Sequence, residues 1–282
     1  MGAIRRAAAK FGDISESPRL DAEVLLAHCL EQPRSYLYTW PERALTEDQG
    51  RAFSELVSAR LKPTPVAYLV GQREFYSRTF RCRAGALVPR AETELLIEQA
   101  LALVGPEDPS CICDLGTGTG IIAITLKKER PRATLHATDV DPDCLSLARE
   151  NAANHKAEID WFESDWYQAL PTGLLYDLIV ANPPYIAAEH PFLERGDLPA
   201  EPRLALSPGD SGLEALRIII SGADEFLKPG GHLVLEHGYD QEAGVAALLE
   251  AHEFGNIRCH YDHNNLPRVT IAKRLENAAA GA

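Results

Sequence analysis

A chain of 282 residues with 45% hydrophobic and 24% charged content has the make-up of a soluble globular protein, long enough for one full-sized domain and a smaller one. No apolar run reaches the roughly 18 residues of a membrane span, and Met1-Gly2-Ala3-Ile4-Arg5-Arg6 lacks the apolar stretch of a signal peptide, so a cytoplasmic protein that does not engage membranes is expected. The net charge of −13 lies entirely beyond residue 75, because residues 1–75 carry ten Lys and Arg against ten Asp and Glu; so acidic a remainder repels a phosphate backbone and argues for a protein or small-molecule substrate over direct nucleic-acid binding.

Residues 1–62 read as helices. Leu20, Val24, Ala27 and Leu30 recur at helical spacing, and Leu25 and Leu26 widen the stripe. Thr46-Glu47-Asp48-Gln49 is a capping box that opens a helix with Phe53, Leu56, Val57 and Leu61 on its apolar face, and Lys62-Pro63-Thr64-Pro65 ends it. A small helical domain over residues 1–72 follows, suited to recognition more than to catalysis. Over residues 73–90, Tyr76, Phe80 and Cys82 alternate with Arg78, Arg81 and Arg83, and Ala84-Gly85-Ala86 follows; this predicts a β-hairpin linking two domains.

The second domain spans residues 91–275. A helix over 90–104 carries Leu95, Leu96, Ala100 and Leu103 on one face. Strands are expected near 111–115, 133–139, 158–163, 175–181, 231–236, 256–262 and 268–273, separated mostly by helical segments: an α/β chain with a seven-stranded, doubly wound sheet. The short link from Asp262 to Pro267 makes the last two strands antiparallel. Polar, Pro-rich residues 186–211 read as a long functional loop, and residues 276–282 as a disordered tail. Cys29, Cys82, Cys111, Cys113, Cys144 and Cys259 show no CxxC spacing and read as small buried hydrophobes, so no metal is expected.

Two stretches carry chemistry. Asp114-Leu115-Gly116-Thr117-Gly118-Thr119-Gly120 follows the first strand of the second domain and opens a helix over 121–128, and its alternate glycines let a ligand approach the backbone. Nineteen residues after Gly120, Asp139 ends the next strand, placed to accept hydrogen bonds from ribose hydroxyls. The turn is GxGxG instead of the dinucleotide GxGxxG, and Asp114 beside it would repel a pyrophosphate but favour a sulfonium or ammonium, which points to S-adenosylmethionine over NAD. A tight strand-to-helix turn capped by its Asp would use the same residues. After the third strand, Asp165 and Trp166 are positioned to bracket an adenine by an acceptor and by stacking, though Trp166 serves equally well as packing.

The other stretch is Val180-Ala181-Asn182-Pro183-Pro184-Tyr185, where an apolar strand stops at a polar amide. The carboxyl ends of parallel strands are where ligands bind in such sheets. Two prolines remove two N–H donors, leaving the Asn182 side-chain oxygen and a backbone carbonyl as acceptors beside the Tyr185 ring, a set that suits a planar NH2 group. Asn and Pro are also ordinary turn residues.

Together these motifs make the chain similar to the HemK/PrmC family, the release-factor glutamine N5-methyltransferases. The resemblance covers nearly the whole length and includes Gly71-Gln72-Arg73-Glu74-Phe75, Val88-Pro89-Arg90-Ala91-Glu92-Thr93-Glu94, Asp114–Gly120, Asn182–Tyr185, Glu201-Pro202-Arg203-Leu204-Ala205-Leu206, Pro229-Gly230-Gly231, Glu236-His237-Gly238 and Arg268-Val269-Thr270. Ala91 stands where the family has a second proline, and Leu266-Pro267 where a polar turn is usual. The resemblance implies a Rossmann-like class I methyltransferase fold with S-adenosylmethionine as cofactor, bound by Asp114, Gly116, Thr117, Gly118, Thr119, Gly120, Asp139, Asp165, Trp166 and Asn182. The implied substrate is the Gln of the Gly-Gly-Gln motif in class-1 peptide release factors, methylated on its amide nitrogen by a monomer. Asn182, Pro183 and Tyr185 would be catalytic, Pro184 and Phe75 would join them in holding the substrate, and the N-terminal domain would help dock it. No general base is required, because the N-protonated methylamide gives its proton to water. His237 is expected to be structural. The competing expectations are an N6-adenine or N2-guanine methyltransferase on nucleic acid, which would present the same kind of NH2, and a nucleoside-binding scaffold without activity.

Overall fold

The computed structural model describes residues 1–12 and 14–276, so the disorder expected over 276–282 lies, Glu276 apart, outside the described residues. Two compact units emerge: one comprises Met1–Gln72, Cys82–Ala84 and Pro191–Glu201, the other Arg73–Arg81, Gly85–His190 and the chain from Pro202 on. No helix among the described residues is long and apolar enough to cross a membrane.

In the first unit, α1 (Gly2–Phe11), α2 (Pro18–Cys29), α3 (Arg34–Thr39), α4 (Glu47–Arg60) and α5 (Val66–Val70) surround a core of Ile4, Phe11, Leu25, Leu26, Phe53 and Val57. The expected stripe on α2 is rotated: Leu20 is 40% exposed, whereas Ala22, Leu25 and Leu26 are buried. Glu23 sits on that buried face, where Arg19 and Arg34 donate to it at 2.9 and 3.0 Å and the Tyr38 hydroxyl at 2.7 Å. A buried carboxylate is tolerable only with such partners, and a hydropathy pattern does not reveal them. On α4, likewise, Leu61 is exposed and Arg60 is buried, its guanidinium paired with Asp21 at 2.9 Å and Asp197 at 2.7 Å.

In the second unit, β1 (Gln72–Phe75) and β2 (Arg78–Arg81) form a two-stranded sheet. Its turn is Tyr76-Ser77, both at positive φ (49° and 57°), as the right-handed twist of a two-residue hairpin demands. Ala84-Gly85-Ala86, expected to belong to the hairpin, lies beyond it in irregular chain, as do the other residues of 82–90.

The main sheet is built from β3 (Cys111–Leu115), β4 (Thr134–Asp139), β5 (Asp160–Glu163), β6 (Tyr176–Ala181), β7 (Leu227–Glu236), β8 (Phe254–Tyr261) and β9 (Pro267–Arg274), in the order β5-β4-β3-β6-β7-β9-β8. All pairings are parallel except those of β9, which runs antiparallel to β7 and β8, as the short link before it foretold. The helices α6 (Thr93–Leu103), α7 (Ile121–Glu129), α8 (Pro142–His155), the short α9 (Arg203–Leu206), α10 (Glu214–Phe226) and α11 (Glu242–Ala251) complete the unit. Two cores result. Leu96, Ile97, Ile112, Ile124 and Leu135 join Phe75 and Phe80 in one; Leu115, Ile179, Leu216, Ile220 and Leu235 lie in the other. The central strands β3 and β6 are largely apolar because both sheet faces are covered there. The six cysteines form no disulfide with one another; Cys82, Cys113 and Cys144 are buried as expected, but Cys29, Cys111 and Cys259 are only half-buried.

Thr46 caps α4 by accepting from the Gln49 N–H at 3.2 Å while the Gln49 side chain accepts from the Thr46 N–H at 3.1 Å. Thr46→Ala should therefore cost about 1 kcal/mol. The readout is hydrogen exchange of the first-turn amides of α4, which should quicken about fivefold; unchanged protection would show that the cap contributes nothing.

Candidate active site

Three neighbouring strands end together. Leu115 on β3 lies opposite Thr138 on β4 and Ala181 on β6, so the residues that follow, Gly116, Asp139 and Asn182, emerge side by side at one edge of the sheet. A cavity of about 430 Å³ opens there, lined among others by Gly116, Thr117, Gly118, Thr119, Asp139, Asp165, Trp166, Asn182 and Pro184.

The turn after β3 is fixed by its own backbone. The Thr117 N–H donates to the Thr138 carbonyl at 2.8 Å and the Gly118 N–H to Asp139 Oδ2 at 2.7 Å. Gly116 has φ of 71°, and a Cβ there would stand 3.3 Å from the Trp166 ring; Gly120, at φ 82°, would press a Cβ to 3.0 Å from Ile124 and 3.1 Å from Ala148. A residue larger than glycine would disturb the ring at the first position and the α7–α8 contact at the second.

Asp139 Oδ1 accepts from the Asp141 N–H at 3.0 Å, and the Val140 N–H is a further backbone donor to this carboxylate. Burial raises its pKa. Beside it Val140, Ile218 and Trp166 give the cavity an apolar wall. A carboxylate for a diol, an apolar slot for a purine and a turn opened by alternate glycines fit S-adenosylmethionine. Among the described residues no group of three or more His, Cys, Asp or Glu is disposed to hold a metal ion.

Asp114 does something other than expected. It is fully buried and does not line the cavity: Oδ2 accepts from the Thr117 hydroxyl at 2.6 Å and the Ala123 N–H at 3.2 Å, and Oδ1 has no partner among the described residues. The carboxylate thus braces the turn from below instead of facing a cationic ligand. Burial pushes its pKa up to about 7. Gly120 is likewise a packing residue behind the turn.

Around Asn182 the side-chain Nδ2 donates to the Thr93 hydroxyl at 3.1 Å. Pro183 is buried and off the cavity wall. Tyr185, expected beside the substrate amide, turns its hydroxyl away to donate to Glu236 Oε1 at 3.2 Å, and its carbonyl accepts from Gln241 Nε2 at 2.9 Å. Burial raises the pKa of Tyr185, so it remains a neutral donor. Phe75 also departs from the expected substrate contact: it is a core residue whose ring lies 6.2 Å from that of Phe80. His237 is structural as expected, fully buried between the Gly238 carbonyl at 2.9 Å and Thr270 Oγ1 at 2.8 Å, and desolvation lowers its pKa.

Sequence reasoning passed over Thr93 and Glu236. Glu236 is 1% exposed, and burial pushes its pKa up to about 7 against the opposing effect of hydrogen bonding from Thr93, the Arg268 charge and the Tyr185 hydroxyl. The available signal was a carboxylate closing an otherwise apolar strand, Leu233-Val234-Leu235-Glu236.

Residues 2–71 match the family model described as the PrmC N-terminal domain, and residues 92–194 that of the methyltransferase small domain. The release factor glutamine methyltransferase of Shewanella oneidensis is 42% identical over 260 residues, which is 92% of this chain and 90% of the relative. That of Xylella fastidiosa is 43% identical over 256 residues, 90% and 93% of the two chains. Among solved structures, a 16S rRNA N2 methyltransferase of Thermus thermophilus in complex with AdoMet and guanosine matches with a TM-score of 0.55 at 19% identity over 72% of this chain and 49% of that one. A methyltransferase of Pyrococcus furiosus matches at 0.54 and 13% identity over 71% and 91%. At such identities the structural matches show a common class I methyltransferase fold.

The elevated pKa of Asp114 has a measurable sign. Between the unfolded value near 4 and about 7 the folded chain keeps a proton that the unfolded chain has lost. The group's contribution to stability is therefore full below about pH 4 and is lost as pH rises to about 7. The unfolding temperature of the cofactor-free wild type should fall across this window more steeply than that of Asp114→Asn; parallel curves would mean that Asp114 titrates normally.

Proposed function

The chain belongs to the release factor glutamine methyltransferases, and we propose that it moves a methyl group from S-adenosylmethionine to the side-chain amide nitrogen of the Gln in the Gly-Gly-Gln motif of class-1 peptide release factors. The observation that carries this reading is the placement of Asn182 on the wall of the cavity that the Gly116–Gly120 turn and Asp139 also form.

S-adenosylmethionine, when bound, supplies a methyl group made electrophilic by the sulfonium. Asp139 would hold the ribose hydroxyls, Trp166 with its apolar neighbours the adenine, and Asp165 the adenine amine. An amide nitrogen is a poor nucleophile because its lone pair is delocalised into the carbonyl. Asn182 Oδ1 would accept one N–H of the substrate, fixing the NH2 and favouring lone-pair density on nitrogen; Pro183, expected to supply a second acceptor, lies off the cavity wall and is given no contact with the substrate. Positive charge develops on that nitrogen, and Asn182 Oδ1 stabilises it away from bulk water. The proton then passes to water, so no general base is assigned. Tyr185 acts here as an anchor of the turn, tied to Glu236.

The same reading makes residues 1–72 the docking domain for the release factor and the enzyme a cytoplasmic monomer. The charge of −13 disfavours the alternative of an adenine or guanine amine in nucleic acid.

The test is methyl transfer from labelled S-adenosylmethionine to a purified class-1 release factor and to a version with the Gly-Gly-Gln glutamine replaced. Label is expected in the first alone. Label in neither, with transfer to RNA or DNA, would replace the reading. Asn182→Ala should lower kcat about a hundredfold or more while cofactor Kd moves less than about threefold; equal losses in both would make Asn182 a cofactor residue.

A further inference from the structure

The Asn182 amide can present either end to the cavity, and only one end suits the reaction proposed above. The hydrogen bonds behind it decide which. Thr93 stands at the start of α6, 1% exposed, and its Oγ1 receives the Asn182 Nδ2 hydrogen at 3.1 Å. Thr93 is also hydrogen-bonded to Glu236, at the end of β7, and the Tyr185 hydroxyl donates to Glu236 Oε1 at 3.2 Å. A hydroxyl has one proton to give, and Glu236 in its ionised form, above about pH 7, only accepts. Once the Thr93 proton is directed to Glu236, the Thr93 oxygen can only accept from Asn182. The Asn182 NH2 must then face Thr93, which leaves Oδ1 for the cavity.

We propose that Thr93 and Glu236 are positioning residues of the methyl transfer. They form a relay from β7 through α6 that sets the orientation of the Asn182 amide, while the same carboxylate ties down the far end of the Asn-Pro-Pro-Tyr turn through Tyr185. A reversed amide would set an NH2 against the substrate NH2, a donor facing a donor. This inference rests on the role given to Asn182 above.

The experiment is a mutant cycle on the full chain, with turnover, substrate KM and cofactor Kd measured for each variant. Thr93→Val keeps the shape of the side chain but removes the acceptor; kcat should fall at least about tenfold, with KM and cofactor Kd within about twofold. Thr93→Ser, which keeps the hydroxyl, should stay within about threefold of wild type in kcat. In the Asn182→Ala background Thr93→Val should have no further effect, because there is no amide left to orient. Wild-type kcat in Thr93→Val, an equal loss in Thr93→Ser, or a loss that persists in the Asn182→Ala background would overturn the relay. Full activity of Asn182→Ala itself would instead overturn the role of Asn182, so the two failures are distinguishable. A measurement on the wild type keeps the test decisive if Thr93→Val does not fold: the Asn182 Nδ2 hydrogens should exchange slowly with solvent by NMR, and rapid exchange would refute the orientation.

Discussion

The pairing of β3 with β4 on one side and β6 on the other is the constraint on which the rest depends. Parallel pairing in this register brings three carboxyl ends to the same height, so Gly116, Asp139 and Asn182 become neighbours although they are far apart in sequence. Hydrogen bonds then lock the arrangement across the strand boundaries, from Gly118 to Asp139 and from Thr117 to the last residues of β4. The cavity is a product of where strands stop. Each strand stops at a residue that cannot continue the apolar run: a glycine after Leu115, a carboxylate after Thr138, an amide followed by two prolines after Ala181.

That logic explains how much of the molecule could be read in advance. Strands covered on both faces are rich in apolar residues, so Ile112, Leu135, Leu178, Val180 and Leu235 announced their strands, and the breaks after them announced the site. The antiparallel β8–β9 pair followed from the length of its connection. Polar residues that work while buried were harder to see. Glu23 and Arg60 sit on helix faces that hydropathy assigns to solvent, because their partners come from other elements or from distant segments of the chain. The hairpin turn at Tyr76-Ser77 lacks the glycine or asparagine that marks positive φ.

Within the site, the residue types were legible and their directions were not. Asp114 and Asp139 each lie at or next to the last residue of a strand, and the sequence places both of them at the cofactor. Asp139 lies on the cavity wall, whereas Asp114 is turned to Thr117 and Ala123. A side chain at a strand end points up or down according to the pleat and the helix that follows, and that is decided by tertiary packing. Tyr185 shows the same: an aromatic three residues after the Asn182 amide reads as a substrate contact, yet its hydroxyl has a buried carboxylate within reach and turns to it.

Asp114 and Glu236 share a further property. Both are buried carboxylates whose pKa is raised to about 7, and each has one oxygen with no partner among the described residues. Such groups cost stability wherever they are ionised. Each, however, joins elements that no apolar contact could hold in register: Asp114 fastens the glycine turn to the first turn of α7, and Glu236 fastens the Tyr185 turn and the head of α6 to β7. They stand on the strands to either side of β6, the strand that delivers Asn182. A reaction on an amide gains little from a stronger acid or base and much from a fixed geometry. Rigid strand ends braced by buried acceptors supply that geometry before the substrate arrives, at a cost in stability that a loop-borne site would avoid.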